Sequence, residues 1–238
     1  MLFSFLPAVS AFSVQSGTRA ISDASTCPTN SCALNWSGYA YNGSAGLVTQ
    51  VSGSWTVPTV TCTSKSAYAA VWVGIDGYSS DTVEQTGVLG RCSGGSASYS
   101  AWYEFYPAAS VTITSIKVSA GDSISASVTY ASGKYTATIT DTTAGKSFSI
   151  TRSDSSAVRS SAEWIVERPE ICSAVSCKLS SLADYGTVTF SSISATTTSN
   201  SYSTDRITMV DSSGKVLSEP SALNNAGTSF SVTWYRSK

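Results

Sequence analysis

The sequence predicts an all-β protein, an antiparallel sandwich or barrel. Three observations carry this: short runs in which apolar and polar residues alternate, turn residues between the runs, and almost no helical periodicity. Val51, Gly53, Trp55 and Val57 alternate with polar neighbours, and so do Ile124, Ala126, Val128 and Tyr130. Tyr135, Ala137 and Ile139 follow, then Phe148 and Ile150, each run marking a half-buried strand. Ala131-Ser132-Gly133-Lys134 and Thr143-Ala144-Gly145-Lys146 join three of these runs as consecutive hairpins, because glycine supplies the backbone geometry such turns need. Between Ile113 and Ile116 the apolar phase slips by one residue, which predicts a bulge or bend and a curved sheet. Runs at Val188 and Phe190, at Ile207 and Met209, and at Phe230, Val232 and Trp234 carry the pattern to the C-terminus. No linker divides the chain, and the Ser/Thr-rich stretch from Thr196 to Thr204 reads as a surface loop.

The expected organisation is a single β domain over residues 35–238, preceded by residues 1–34. Met1 to Phe12 has the apolar length of a signal-peptide core and is too short to span a bilayer, though it lacks the usual leading positive charges. The residues up to Cys32 then form a polar spacer or short pro-segment. Of the 238 residues only 12% are charged, about half the usual share, and the net charge is −1. That balance gives no electrostatic basis for binding nucleic acid or an anionic membrane. Few carboxylates also limit the change in net charge on acidification, as acid stability requires, although a Ser/Thr-rich secreted surface would have the same composition.

Six cysteines stand at 27, 32, 62, 92, 172 and 177, with no CxxC pair of the metal-ribbon kind. The simplest pairing is Cys27–Cys32, Cys172–Cys177 and a longer clasp from Cys62 to Cys92, which suits an oxidising compartment. The chain has no histidine. It therefore lacks the parts for a Ser-His-Asp or Cys-His site and for a zinc site that depends on imidazole. Its chemistry falls to Asp, Glu, Lys, Tyr, amides and hydroxyls, with no metal or cofactor implied.

Three stretches concentrate carboxylates beside aromatics: Trp72 to Gly77, Trp102 to Tyr106 and Glu163 to Glu167. Alternation puts Val71, Val73 and Ile75 on one face and Trp72, Gly74 and Asp76 on the other. Ala101, Tyr103 and Phe105 likewise oppose Trp102, Glu104 and Tyr106, and Ala162, Trp164 and Val166 oppose Glu163, Ile165 and Glu167. Were these strands neighbours, the second faces would combine into an aromatic-walled groove holding Asp76, Glu104, Glu163 and Glu167. Burial of carboxylates near one another raises the pKa of some and prepares a general acid or base. The alternative is a solvated outer face. Ser212-Ser213-Gly214-Lys215 has the spacing of a serine–lysine nucleophile but reads as a hairpin turn. Asn35-Trp36-Ser37 and Asn42-Gly43-Ser44 are formal glycosylation sites.

Five stretches in order, Asn35 to Tyr39, Trp72 to Gly77, Glu84-Gln85-Thr86-Gly87, Ala101 to Pro107 and Ala162 to Glu167, resemble the glutamic peptidases, or eqolisins. The resemblance covers roughly Asn35 to the C-terminus. It implies a two-sheet antiparallel, concanavalin-like sandwich whose curved sheet forms the substrate groove, and a secreted acid endopeptidase insensitive to pepstatin. Carried over by position, it makes Glu167 the catalytic acid and Gln85 its partner, and between Glu163 and Glu167 it selects the latter. It assigns Trp36, Trp72, Trp102 and Tyr106 to the cleft, and Asp76 and Glu104 to supporting the catalytic pair. Two positions depart from the fungal members: Ser100 stands where they carry an aspartate, and Ala70 where they carry a hydroxyl residue. The expected partner is a polypeptide substrate in an acidic extracellular setting, with the protein a monomer. A glycoside hydrolase using Glu104 and Glu167, or a lectin, is the competing expectation on a similar sandwich.

Overall fold

The computed structural model describes residues 13–15, 27, 31–173 and 175–237, and most of the expected signal and spacer lies outside them. Among the described residues eighteen strands follow one another. The first eight are β1 (Ser13–Gln15), β2 (Ser31–Ala33), β3 (Trp36–Gly43), β4 (Val48–Thr56), β5 (Ala67–Ile75), β6 (Val83–Ser93), β7 (Ser96–Tyr106) and β8 (Val111–Ile113). Then come β9 (Ser123–Ala131), β10 (Lys134–Asp141), β11 (Lys146–Arg152), β12 (Ser161–Glu167), β13 (Glu170–Cys172) and β14 (Cys177–Leu179). The last four are β15 (Thr187–Thr197), β16 (Tyr202–Val210), β17 (Val216–Pro220) and β18 (Phe230–Trp234).

Two antiparallel layers are stitched together by β15. The first half of this strand pairs with β18 through Thr187 to Phe190, and the second half pairs with β4 from Ser191 onward. The register shifts between Ser191 and Ser194, and Ser192 has φ 50°. One strand thereby bends out of one sheet into the other. The smaller sheet runs β11-β10-β9-β4-β15, and its β9-β10-β11 part is the predicted pair of hairpins. The larger runs β15-β18-β17-β16-β3-β12-β5-β6-β7-β8, with β2 added in parallel to β16. A small separate sheet, β1-β13-β14, lies just past the end of β12. Residues 31–33 thus join the domain four positions before its expected start at residue 35.

The inward faces of the two sheets share one core, in which Val71, Val73, Ile75, Trp164 and Val166 meet Val51, Trp55, Ile124, Val128 and Ile139. Trp164 crosses the gap: its indole Nε1 donates to the Ser52 carbonyl of β4 at 2.7 Å. Gly53 makes room for it, since a Cβ there would sit 3.0 Å from Trp164 Cδ1. The bulge or bend expected between Ile113 and Ile116 takes the form of a turn. β8 stops at Ile113, and a two-residue turn returns Ile116 to the same core. All three expected disulfides are present, Cys27–Cys32, Cys62–Cys92 and Cys172–Cys177. Ser212 to Lys215 is the expected hairpin turn, closed by Asp211, whose Oδ1 accepts from the Ser213 amide and hydroxyl and from the Lys215 amide. Asn35 is fully buried and closed to glycan addition in the folded chain.

Acids lie on the inward strand faces too, Glu84 and Asp141 among them. Glu84 pairs with Ile75 and faces the second sheet, fully buried, with no cation beside it among the described residues and only weak compensation from the Thr82 hydroxyl and its own backbone. Burial, together with the charges of Asp76 and Asp154, pushes its pKa up to about 9. A carboxyl raised on folding stabilises most fully below its unfolded value, and that stability is lost as pH climbs toward the folded value. The loss is about 1.4 kcal/mol per pH unit between roughly pH 5 and 9. Glu84→Gln removes the ionisation while keeping the shape. Urea unfolding of E84Q should match the native chain near pH 4 and show a gain of about 3 kcal/mol near pH 7; equal stabilities at both pH values would show that Glu84 does not titrate in this range.

Candidate active site

The carboxylate-bearing strands lie side by side in the order β12-β5-β6-β7, so alternation on each is read out on one continuous face. Three rows cross it. In the first, Glu163 stands opposite Gly74, Gly74 opposite Gln85, and Gln85 opposite Glu104. In the second, Ile165, Trp72, Gly87 and Trp102 face one another in turn. In the third, Glu167 stands between Trp36 and Ala70, followed by Leu89 and Ser100. Both departures from the fungal pattern, Ala70 and Ser100, therefore share the row of Glu167.

Trp36, Trp72, Trp102 and Ile165 form a second apolar cluster on this face, with half-buried Tyr78, Leu89 and Tyr106 against it. Trp36 meets Trp72 edge-on at 4.9 Å between ring centroids. Glu104, Glu163, Glu167 and Gln85 are fully buried among them, so this face is not the solvated surface that was the alternative. Trp72 Nε1 donates to Glu167 Oε2 at 2.9 Å. Gln85 Nε2 donates to Glu104 Oε2 at 3.1 Å. An amide nitrogen carries two N–H groups, so Gln85 has a second donor besides the one that meets Glu104. Burial holds the Glu104 carboxyl well above the usual range, and the negative charge of Glu167 adds to the effect. The indole Nε1 atoms of Trp36 and Trp102 are buried without a hydrogen-bond partner, two donors for an incoming acceptor.

Asp76 departs from the expected role. The chain leaves β5 at Ile75 and turns, with φ 72° at Asp76, so its carboxylate does not support the Gln85 and Glu167 side chains. It accepts instead from the amides of Val158, Arg159 and Ser160 at 2.6–2.9 Å, and from the Ser160 hydroxyl. Three backbone bonds to one carboxylate pin the approach to β12, so Asp76 acts on the site through the strand that carries Glu163 and Glu167. The Asp76 amide also bonds the Ser161 carbonyl at the first residue of that strand. Glu84 and Tyr78 were missed in the sequence. Glu84 was legible, since placing Gln85 on one face puts Glu84 on the other; Tyr78 lies in a loop with no periodicity to find it. Among the described residues no three Cys, Asp or Glu side chains are grouped so as to hold a metal ion.

A model of the Peptidase A4 family matches residues 34–234. The chain belongs to the peptidase A4 family. Aspergillopepsin-2 of Aspergillus niger is 34% identical over 226 residues, covering 84% of this chain and 77% of that protein. Scytalidopepsin B of Scytalidium lignicola is 37% identical over 180 residues, covering 72% and 66%. Scytalido-glutamic peptidase, solved with a transition-state analogue inhibitor, superposes with a TM-score of 0.74 at 31% identity over 84% of this chain and 98% of that one. Aspergilloglutamic peptidase from Aspergillus niger gives 0.60 at 35% identity, over 71% and 99%. This A4 peptidase is accordingly a hydrolase acting on peptide bonds, and the glycosidase and lectin alternatives give way. Trp72→Phe keeps an aromatic ring, though a smaller one, and removes the N–H that reaches Glu167. A hydrogen bond to a carboxylate is worth about 1.5–3 kcal/mol, so kcat should fall about 10- to 100-fold with KM little changed; steady-state kinetics on a peptide substrate checks it, and an unaltered kcat would remove Trp72 from that role.

Proposed function

We propose that the chain is a secreted acid endopeptidase in which Glu167 and Gln85 cleave the peptide bond, within a catalytic domain spanning residues 35–238. The observation that carries this reading is the pair of oriented groups on one buried face, Glu167 bonded by the Trp72 indole and Gln85 bonded by Glu104. As a carboxylate, Glu167 takes a proton from water while the water oxygen attacks the scissile carbonyl carbon. The carbonyl oxygen becomes an oxyanion, and the second N–H of Gln85 donates to it. When the intermediate collapses the C–N bond breaks, and Glu167 returns its proton to the departing amine. The products are a carboxylic acid and an amine, and the pair is regenerated.

An amide suits strong acid because its N–H does not titrate there, whereas imidazole in the same place would be charged. The tryptophans supply walls, and the unpartnered indoles of Trp36 and Trp102 supply donors for substrate carbonyls. Every one of these side chains is closed off from solvent, so a polypeptide reaches them only once this face has opened. Three disulfides support an oxidising, extracellular location, and residues 1–34 fit the signal and pro-segment of such a product. Pepstatin insensitivity follows from a site without a pair of aspartates.

The test is digestion of denatured casein between about pH 2 and 7 with pepstatin present. Cleavage should be confined to the acid side and survive the inhibitor. Glu167→Gln should abolish it, and Gln85→Ala should lower kcat by about 10²–10³ with the fold intact by circular dichroism. Undiminished digestion by either variant would remove that residue from the chemistry.

A further inference from the structure

Glu163 is the carboxyl group of this face to which the mechanism gives no task. It shares the row of Gln85, separated from it by Gly74 alone. Its side chain is entirely buried, and apart from the Ser161 hydroxyl two residues back on the same strand face, which favours the ionised form, its oxygens find no partner within the fold. Such a group destabilises the fold unless it is paired, and an apolar residue would fill the place without that cost. The missing partner is one that arrives from outside.

The surroundings define its shape. Ala40 on β3 and Gly74 on β5 flank Glu163 and carry nothing beyond Cβ. A Cβ on Gly74 would already meet the Trp72 ring at 3.0 Å and Gln85 Cβ at 3.1 Å, so the indole and the Gln85 stem stand as a wall on that side. Beyond Ala40 the row ends at Asp205 on β16, and beyond Gln85 at Glu104. The Tyr78 hydroxyl, bonded to Ser31, feels the charges of both Asp205 and Glu163. Burial holds the Glu163 carboxyl well above the usual range, and the nearby charges of Asp76 and Glu84 oppose its ionisation further.

A protonated carboxyl presents one O–H donor beside one C=O acceptor. Its complement is a primary carboxamide, which carries N–H and C=O side by side, or a second protonated carboxyl. A trans peptide unit points its N–H and C=O in opposite directions and matches only half of the pair. Resting on the assignment of Gln85 and Glu167 to the scissile bond, we propose that Glu163 is the specificity-determining floor of a side-chain subsite. That subsite selects glutamine or asparagine and, in acid, the protonated forms of glutamate and aspartate. Glu163 lies two strand spacings from Gln85, about 10 Å, so the selected residue lies within about three residues of the cleaved bond.

Quenched peptides carrying Gln, Met or Lys in turn at each position around one cleavable bond test this near pH 4. At one position the native enzyme should favour Gln over Met, of similar shape, by about tenfold or more in kcat/KM. Glu163→Leu should bring that ratio to about one, with circular dichroism unchanged. Glu163→Gln should keep the preference and hold it at higher pH, where the native preference fades as Glu163 ionises. Lys favoured over Gln by the native enzyme, or an unchanged Gln:Met ratio in E163L, overturns the proposal. If E163L does not fold, E163Q decides: a preference that fades with pH as in the native enzyme overturns it. If the native enzyme cleaves none of the peptides, the catalytic assignment fails by itself. Fluorescence polarisation of the same peptides on Glu167→Gln then decides the subsite: tighter binding of the Gln peptide, abolished by adding Glu163→Leu, supports it, and equal binding overturns it.

Discussion

The packing of one indole through the sandwich fixes the phase of the strand on which the chemistry depends. Trp164 lies in the middle of β12, wedged over Gly53, bonded to the Ser52 carbonyl and met edge-on by Tyr41 at 5.0 Å. Burying a tryptophan removes about 150–250 Å² from water, on the order of 4–6 kcal/mol, several times the net worth of one hydrogen bond. Packing therefore sets which way the strand faces, and the bond to Ser52 sets where along the second sheet it stops. A slip of one residue would turn every side chain of β12 to the opposite face, driving Glu163 and Glu167 into the apolar core. On the neighbouring strand Gly38 approaches so closely that a Cβ would lie 2.0 Å from the Trp164 carbonyl oxygen, so the register of β3 against β12 is also confined. The positions of Glu163 and Glu167 are consequences of where Trp164 must go.

The second constraint is electrostatic, and it connects stability to working conditions. Glu84 in the core and Glu104 and Glu163 on the catalytic face are all buried, and each is pushed toward its neutral form. Neutral carboxyls cost far less to bury than carboxylates, so the arrangement is least costly below the range in which these groups ionise. The sparse charge of the chain, 12% of residues, acts in the same direction on the surface. A rise in pH would load the core and the face that carries Glu104 and Glu163 with negative charge together, so both would be strained by one physical cause.

Most of the layout was legible from alternation, because strands buried on one side and functional on the other write both faces into every second residue. The opposition of Trp164 to Glu163 and Glu167, and of Val73 to Trp72, survives in the folded chain. What alternation does not reveal is strand order: β6 lies between β5 and β7, and Gln85 reached the list of candidates through family resemblance and not through its own run, where Thr86, Gly87 and Gly90 blur the pattern. Asp76 misled for a definite reason. It extends the alternation of β5 by one residue, but the strand has ended and the positive φ points the carboxylate at the Val158–Ser160 backbone. The bend of β15 between sheets and the turn after Ile113 fall where the apolar phase slips, between Phe190 and Ile193 and between Ile113 and Ile116. A slip marks only the place, and tertiary packing decides whether the chain bends or turns.

The row that carries Glu167 shows how a site can keep its geometry while its neighbours change. Across β5 and β6 the side chains level with Glu167 are Ala70 and Leu89, neither of which forms a hydrogen bond through its side chain, and a hydroxyl appears only at Ser100 on β7. Orientation of the carboxylate from this side of the sheet cannot come from its own row. It comes diagonally, from the Trp72 indole one row away, whose ring reaches across the face from Gly74 to Glu167. A long, rigid donor held by edge-to-face packing on Trp36 needs no help from small polar side chains, and it loses little conformational freedom in holding its place. The absence of a polar residue at position 70 is therefore compatible with an oriented Glu167, provided the Trp36 and Trp72 pair stays packed.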